Sequence, residues 1–193
     1  SFCRPIDDKA IVEIRKEIGC PEGYVLHFST GDPRENTEAV IKAFRMTKTK
    51  IPKGINLVIA GGGSFAERGP SERIIHLPFL TGQKLTALYQ AASLYLDLSL
   101  YEGFGFQILE AMASGVSVVA SRCTSIPEIM GSTGILVDPL DVVSAAEGMV
   151  RILSDPDLKD EMKRKGQAQA RQFGWGKTAR ETAAVYEEIL NER

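Results

Sequence analysis

The stretch Tyr101 to Gly115, YEGFGFQILEAMASG, places two glutamates, Glu102 and Glu110, around a Gly-Phe-Gly loop, with seven residues between them. A helix that starts near Phe106 leaves the amides of Gly105 to Ile108 as unpaired donors at a positive dipole end, a site suited to phosphate. Gly103 and Gly105 remove side chains that would hold a ligand away. Glu110 then lies about one turn into the helix. Its carboxylate could accept two hydrogen bonds from a vicinal diol such as ribose. Glu102, on the loop, would face whatever continues past the phosphates. A nucleotide carrying a sugar matches this layout from end to end.

Blander readings exist for each glutamate: Glu110 as a helix-dipole partner and Glu102 as a solvated loop residue. They account for neither the two glycines nor the loop's place after a strand. A glycosidase pair is a further option, but it requires a set separation across the scissile bond, which sequence spacing does not give. Asp97 ends a strand and is equally a structural or a ligand-facing candidate. Phe106 and Met112 read as core. Gly61, Gly63 and Ala66 fit the dinucleotide fingerprint, yet the acidic ribose partner about 20 residues on is missing, since Leu77 to Ala87 holds none.

The elements that must position these residues follow from hydrophobic periodicity. Strand-like runs occupy 24–29, 55–61, 73–79, 93–99, 116–121 and 134–137. Helical spacing separates most of them, over 37–48, 82–92 (with Thr81 as N-cap), 106–114 and 141–153. Alternation of strand and helix implies a doubly wound parallel α/β sheet with helices on both faces. A helical, charged tail follows from Asp155 to Gln172, is broken at FGWGK (173–177), and resumes to about Asn191. The N-terminal SFCRPIDDK reads as a polar loop and lacks the apolar region of a signal peptide. In such sheets ligands sit beyond the carboxyl ends of the strands. The loops 30–36, 61–66, 78–82, 99–105 and 121–126 should therefore gather there.

Composition narrows the function classes. With 193 residues, 44% hydrophobic and 25% charged, the chain can bury a core. A net charge of −2 argues against a nucleic-acid module. No apolar run reaches the ~18 residues of a membrane span. Cys3, Cys20 and Cys123 read as reduced thiols of a cytoplasmic protein. His27 and His76 sit in strand-like runs with no second ligand nearby, so no metal site is expected.

YEGFGFQILEAMASGVSVVAS resembles the paired-glutamate signature of the family 4 retaining glycosyltransferases, two-domain enzymes of the GT-B fold. The resemblance extends through LVIAGGGS, IIHLPFLTGQKLTALYQAASLYLDLS, SIPEIMGSTGILVDPLD and FGWGKTA, from about residue 24 to 190. It implies a Rossmann-like donor-binding domain, the C-terminal half of such an enzyme, spanning 1–193, with the acceptor-binding N-terminal half outside this sequence. Carried over by motif, Glu110 would bind the ribose hydroxyls and Glu102 would lie by the donor sugar. The backbone of Gly103, Phe104 and Gly105 would contact sugar hydroxyls. Amides around Phe106, Gln107 and Ile108 would hold the diphosphate, and Pro78, Phe79 and Leu80 would flank the base. Gly31 and Gly62, in the first two loops, complete the donor-binding set. The resemblance implies a UDP-sugar, with a GDP-sugar as alternative, and no divalent metal or other cofactor. Neither nucleic acid nor membrane contact is expected of this domain.

The first loop departs from the family pattern. Members place an Arg just after the first strand's glycine, then a Lys in a Pro-Arg-Lys-Asn or Lys-Gly run. Here Asp32 follows Gly31, and Glu35 stands where the Lys is usual. Arg34 is then the cation left to face the diphosphate, and Arg suits a bidentate phosphate contact. Three classes stay open: a glycosyltransferase donor domain, a GT-B relative with other nucleotide-sugar chemistry such as epimerisation, and a binding module that lost catalysis.

Overall fold

The computed structural model describes residues 6–47, 49–62 and 73–191. Six parallel strands form one sheet: β1 (Tyr24–Phe28), β2 (Asn56–Ala60), β3 (Ile74–Leu77), β4 (Leu94–Asp97), β5 (Val118–Ser121) and β6 (Ile135–Val137). Their order is β3-β2-β1-β4-β5-β6, with every pair parallel. The chain runs outward from β1 to β3, returns to β4, and runs outward the other way. The reversal lies between β1 and β4, and such a switch point opens a crevice at the carboxyl ends of those strands.

The strands are buried on both faces, as parallel strands flanked by helices must be. In β1, Tyr24 and Leu26 enter one core layer while Val25 enters the other. In β2, Val58 and Ala60 alternate with Leu57 and Ile59 in the same way. The first layer is closed by α1 (Asp8–Glu17), α3 (Gly82–Ala91), α4 (Phe106–Ala113) and α5 (Ile126–Met130). The second is closed by α2 (Thr37–Met46) and α6 (Val142–Ser154). Full burial of one such aliphatic side chain stabilises the fold by about 1.5–3 kcal/mol. Tyr24, buried among them, donates its hydroxyl to Leu88 O at 2.5 Å and so ties β1 to α3.

Helices α7 (Pro156–Ala170) and α8 (Trp175–Asn191) form the tail. Helix α7 packs on α4 through Gly166, where a Cβ would already lie 3.4 Å from Met112. Helix α8 buries none of its residues and leaves Trp175, Val185, Tyr186, Ile189 and Leu190 exposed. No helix among the described residues is long and apolar enough to cross a membrane.

The doubly wound sheet and helical tail expected from periodicity are therefore present. Of the stretch read as a polar loop, residues 1–5 lie outside the described residues and Ile6 and Asp7 are irregular; helix α1 begins at Asp8, where Asp7 caps it by accepting from Lys9 N, and Arg15 Nε donates to Ala91 O at 2.8 Å. Ile11, Ile14 and Ile18, at helical spacing, pack on the first core layer, and contact with α3 holds the helix in place. Thr81 is the N-cap of α3 as expected, although its side chain makes no capping hydrogen bond.

Candidate functional site

Helix α4 starts at Phe106, as the glycine pattern implies. Its N-cap is Gly105, held at φ 97° and ψ 47°, a left-handed conformation that glycine adopts without the Cβ penalty. A glycine cap supplies no side-chain acceptor, so the amides of Phe106, Gln107 and Ile108 lack both an intrahelical and a capping partner. The first turn also carries no acidic residue. It is a cluster of donors at a positive dipole end.

Glu110 lies one turn further along and is half-buried. Tyr89 of α3 donates its hydroxyl to Glu110 Oε2 at 2.9 Å, which fixes the carboxylate and leaves Oε1 available. Burial raises the Glu110 carboxyl above its ordinary value, and the Tyr89 hydrogen bond partly offsets this. Burial likewise pushes the Tyr89 phenol well up, so Tyr89 remains a donor at neutral pH. Tyr89 was invisible as a site residue in the sequence, where it reads only as a core position of its helix.

The loop before α4 is clamped from the β5–α5 connection. Glu102 N donates to Thr124 Oγ1 at 3.0 Å, and Ser125 Oγ donates to Glu102 O at 3.0 Å. Burial and then the neighbouring Asp97 raise the Glu102 carboxyl, while a hydrogen bond with Ser99 lowers it. Asp97 itself is buried and accepts from Ser99 N at 2.9 Å and Tyr95 Oη at 3.3 Å, which is a structural arrangement.

The same loop meets the one after β1. Leu100 N donates to Arg34 O at 2.8 Å, across the switch point. Asn36, at φ 53°, donates from Nδ2 to Leu98 O and Pro139 O, each at 3.0 Å. Arg34 does not extend freely into the crevice. Its Nε donates to both carboxylate oxygens of Asp32 (3.1 and 3.2 Å) and its Nη2 lies 2.7 Å from Asp32 Oδ2. Arg34 in turn brings the Asp32 carboxyl down to about 2.

Glu35 turns inward. It closes a capping box on the short turn Pro33–Glu35. Its Oε2 accepts from Ser29 Oγ (2.7 Å) and from the amides of Thr30 (2.9 Å), Gly31 (3.1 Å) and Asp32 (3.1 Å), and its Oε1 accepts from Thr30 Oγ1 (2.9 Å). The Asp-x-x-Glu spacing of 32–35 carries the signal for this box, which the comparison with a missing Lys obscured.

The second and third loops also adjoin. Gly61 sits at φ 130° where an added Cβ would fall 2.5 Å from Ser29 O. A Cβ on Gly62 would lie 3.6 Å from Phe79 N, so Gly62 faces the Pro78–Leu80 segment. Phe79 is 72% exposed there. Gly63 and Ala66 of the dinucleotide-like pattern, and most of the 61–66 loop, lie outside the described residues. Phe106 differs from expectation: it is 50% exposed rather than core. It stacks at 6.2 Å on Trp175 and 4.7 Å from Phe104, along an apolar groove of about 610 Å³ that Glu110 borders. Met112 is core as expected.

A family model described as "Glycosyl transferases group 1" matches residues 12–169. The chain belongs to that family. Among curated relatives, it is 33% identical over 174 residues to O-antigen chain mannosyltransferase B of Escherichia coli, covering 86% of this chain and 46% of the relative. It is 32% identical to D-inositol 3-phosphate glycosyltransferase of Salinispora tropica, covering 99% of this chain and 44% of the relative. This group 1 chain thus spans about half the length of these two relatives. Among solved structures, HepE of Anabaena, in complex with UDP and glucose, superposes with a TM-score of 0.82 at 22% identity over 95% of this chain and 53% of HepE. The C-terminal domain of the group 1 protein LpcC of Francisella tularensis gives a TM-score of 0.73 at 22% identity, covering 89% of this chain and 95% of that domain. These structural likenesses establish the GT-B half-fold.

Proposed function

We propose that this chain is the donor-binding, C-terminal half of a retaining glycosyltransferase, and that it holds a nucleotide-diphosphate sugar in the crevice between β1 and β4. The observation that carries the reading is the α4 start: uncapped amides at Phe106 to Ile108, with Glu110 held one turn on by Tyr89. The amides hold the diphosphate and Glu110 takes the ribose diol. Gly103, Phe104, Gly105 and Glu102 line the sugar. Pro78, Phe79, Leu80 and Gly62 flank the base, and Gly31 borders the first loop. Diphosphate charge is met chiefly by the α4 amides, with Arg34 a lesser contributor from its pair with Asp32 and no divalent metal.

Catalysis in this reading is positioning and leaving-group stabilisation. The bond from the sugar's anomeric carbon to the diphosphate breaks as the acceptor hydroxyl adds to that carbon on the same face. A phosphate oxygen takes the acceptor's proton. The mannosyltransferase relatives support a hexose as the transferred group. HepE, solved with UDP-glucose as well as UDP, supports a UDP-sugar, with GDP as the alternative. The acceptor is bound by the other half of the enzyme, so the 193 residues alone bind donor with little transfer. The unpaired thiols of Cys20 and Cys123 fit a cytoplasmic setting.

Glu35 in place of the usual Lys favours a second reading, a nucleotide-binding module without turnover. Product analysis of the full-length protein separates the two. A thermal-shift panel of UDP, GDP and ADP, each with and without its sugar, tests nucleotide binding itself. One nucleotide at 100 times its dissociation constant adds about 2.7 kcal/mol of stability. A melting temperature unmoved by all of them contradicts the proposal.

A further inference from the structure

The first loop of the crevice has the parts of an anion site. Thr30, Gly31 and Asp32 offer three consecutive backbone N–H groups that converge on one point, with the Ser29 and Thr30 hydroxyls beside them. Successive amides turned inward in this way form a nest, which attracts anions generally. The anion at this nest is Glu35. Four donors meet its Oε2 and one its Oε1, all between 2.7 and 3.1 Å. The loop's cation is also engaged, because the Arg34 fork lies on Asp32.

We propose that the amides of Thr30, Gly31 and Asp32 form an oxyanion site filled by the chain's own Glu35 carboxylate, so that Glu35 excludes a ligand's phosphate from the first loop and sets how strongly the crevice binds a diphosphate. The placement of that diphosphate rests on the donor-site reading above. Glu35 is held firmly. Its partner Ser29 Oγ accepts from Thr37 Oγ1 at 2.7 Å, and Thr37 Oγ1 lies 3.1 Å from the buried His27 Nε2, whose Nδ1 bonds Leu96 O. The loop is anchored as well, through Asn36 to Leu98 and Pro139. Leu100 N donates to Arg34 O at 2.8 Å, so the turn that carries Glu35 adjoins the sugar-side loop. Glu35 is thus a specificity-determining residue: it favours ligands that place their phosphates at α4 and disfavours those that need a second phosphate contact at β1.

The test is an amide-resolved NMR titration of the ¹⁵N-labelled chain with UDP, GDP and inorganic pyrophosphate. In the unmodified chain, a nucleotide should shift the amides of Phe106, Gln107 and Ile108 and leave those of Thr30, Gly31 and Asp32 in place, and pyrophosphate should leave those three in place too. In Glu35→Ala, pyrophosphate should shift all three. In Glu35→Gln, the nucleoside diphosphate should bind roughly tenfold more tightly through removal of a nearby like charge, with uridine unchanged. Should Glu35→Ala not fold, Glu35→Ser is titrated with pyrophosphate in its place, and three unmoved amides there would overturn the proposal. It is equally overturned if phosphate ligands shift Thr30 to Asp32 in the unmodified chain, or if pyrophosphate leaves them unmoved in Glu35→Ala. If neither UDP nor GDP moves any α4 amide, the donor-site reading fails, and the pyrophosphate titration of Glu35→Ala still decides the role of Glu35.

Discussion

Two groups of backbone amides border the crevice, one at the start of α4 and one in the turn after β1, and they are finished in opposite ways. The α4 amides follow a glycine cap with no side-chain acceptor, and no acidic residue shares their turn. The amides of the β1 turn are closed by Glu35 within a capping box. The same donor chemistry yields a ligand-facing surface in one place and a self-satisfied structural turn in the other. Two features separate them: Gly105 has no side chain to cap α4 and Ile108 goes to the core, whereas Asp32 accepts from Arg34 N and Glu35 folds back onto the amides of Thr30, Gly31 and Asp32.

The largest effect is expected at Gly61. A Cβ there meets Ser29 O at 2.5 Å in a backbone conformation that side chains rarely adopt. Gly61→Ala should cost about 2–5 kcal/mol and lower the melting temperature by roughly 5–15 °C. The damage falls beside Gly62 and the Pro78–Leu80 segment, so residual folded protein should also bind uridine more weakly. Differential scanning calorimetry with a uridine titration checks both parts, and an unchanged melting temperature would show that the two loops do not depend on this close approach.

Arg34→Ala should have a small effect. The Arg34 side chain is 66% exposed and already paired with Asp32. Exposed pairs contribute little, so the melting temperature should hardly change. Nucleoside diphosphate affinity should fall by no more than about fivefold. A loss of a hundredfold would mean that Arg34 leaves Asp32 to take the diphosphate, and that the β1 turn is a ligand contact after all.

Much of this was legible in the sequence because the fold depends on periodicity, and the apolar strands of a parallel sheet leave a strong one. All six runs became strands, and α4 began at the residue that the glycines indicated. The loop contacts were legible only as positions. Nothing in the spacing shows that Thr124 and Ser125 clamp Glu102, or that Tyr89 reaches Glu110, since those contacts join residues 21 to 23 positions apart. Phe106 misled because an aromatic in an apolar segment ordinarily reads as core, whereas here it lies at the helix start and stacks on Trp175. Glu35 misled for a different reason. Judged against a family pattern it is a lost Lys, while Asp32 to Glu35 judged by local chemistry is a capping box.

The central claim is that Glu110 and the start of α4 together hold a nucleotide. Isothermal titration of UDP and GDP into the unmodified chain and into Glu110→Ala tests it most directly. A hydrogen-bonded charged group contributes about 1.5–3 kcal/mol, so the variant should lose roughly 10- to 100-fold in affinity for whichever nucleotide binds, with its melting temperature little changed. Equal affinity in the two proteins would contradict the assignment of the ribose to Glu110, and with it the reading of this crevice as a donor site.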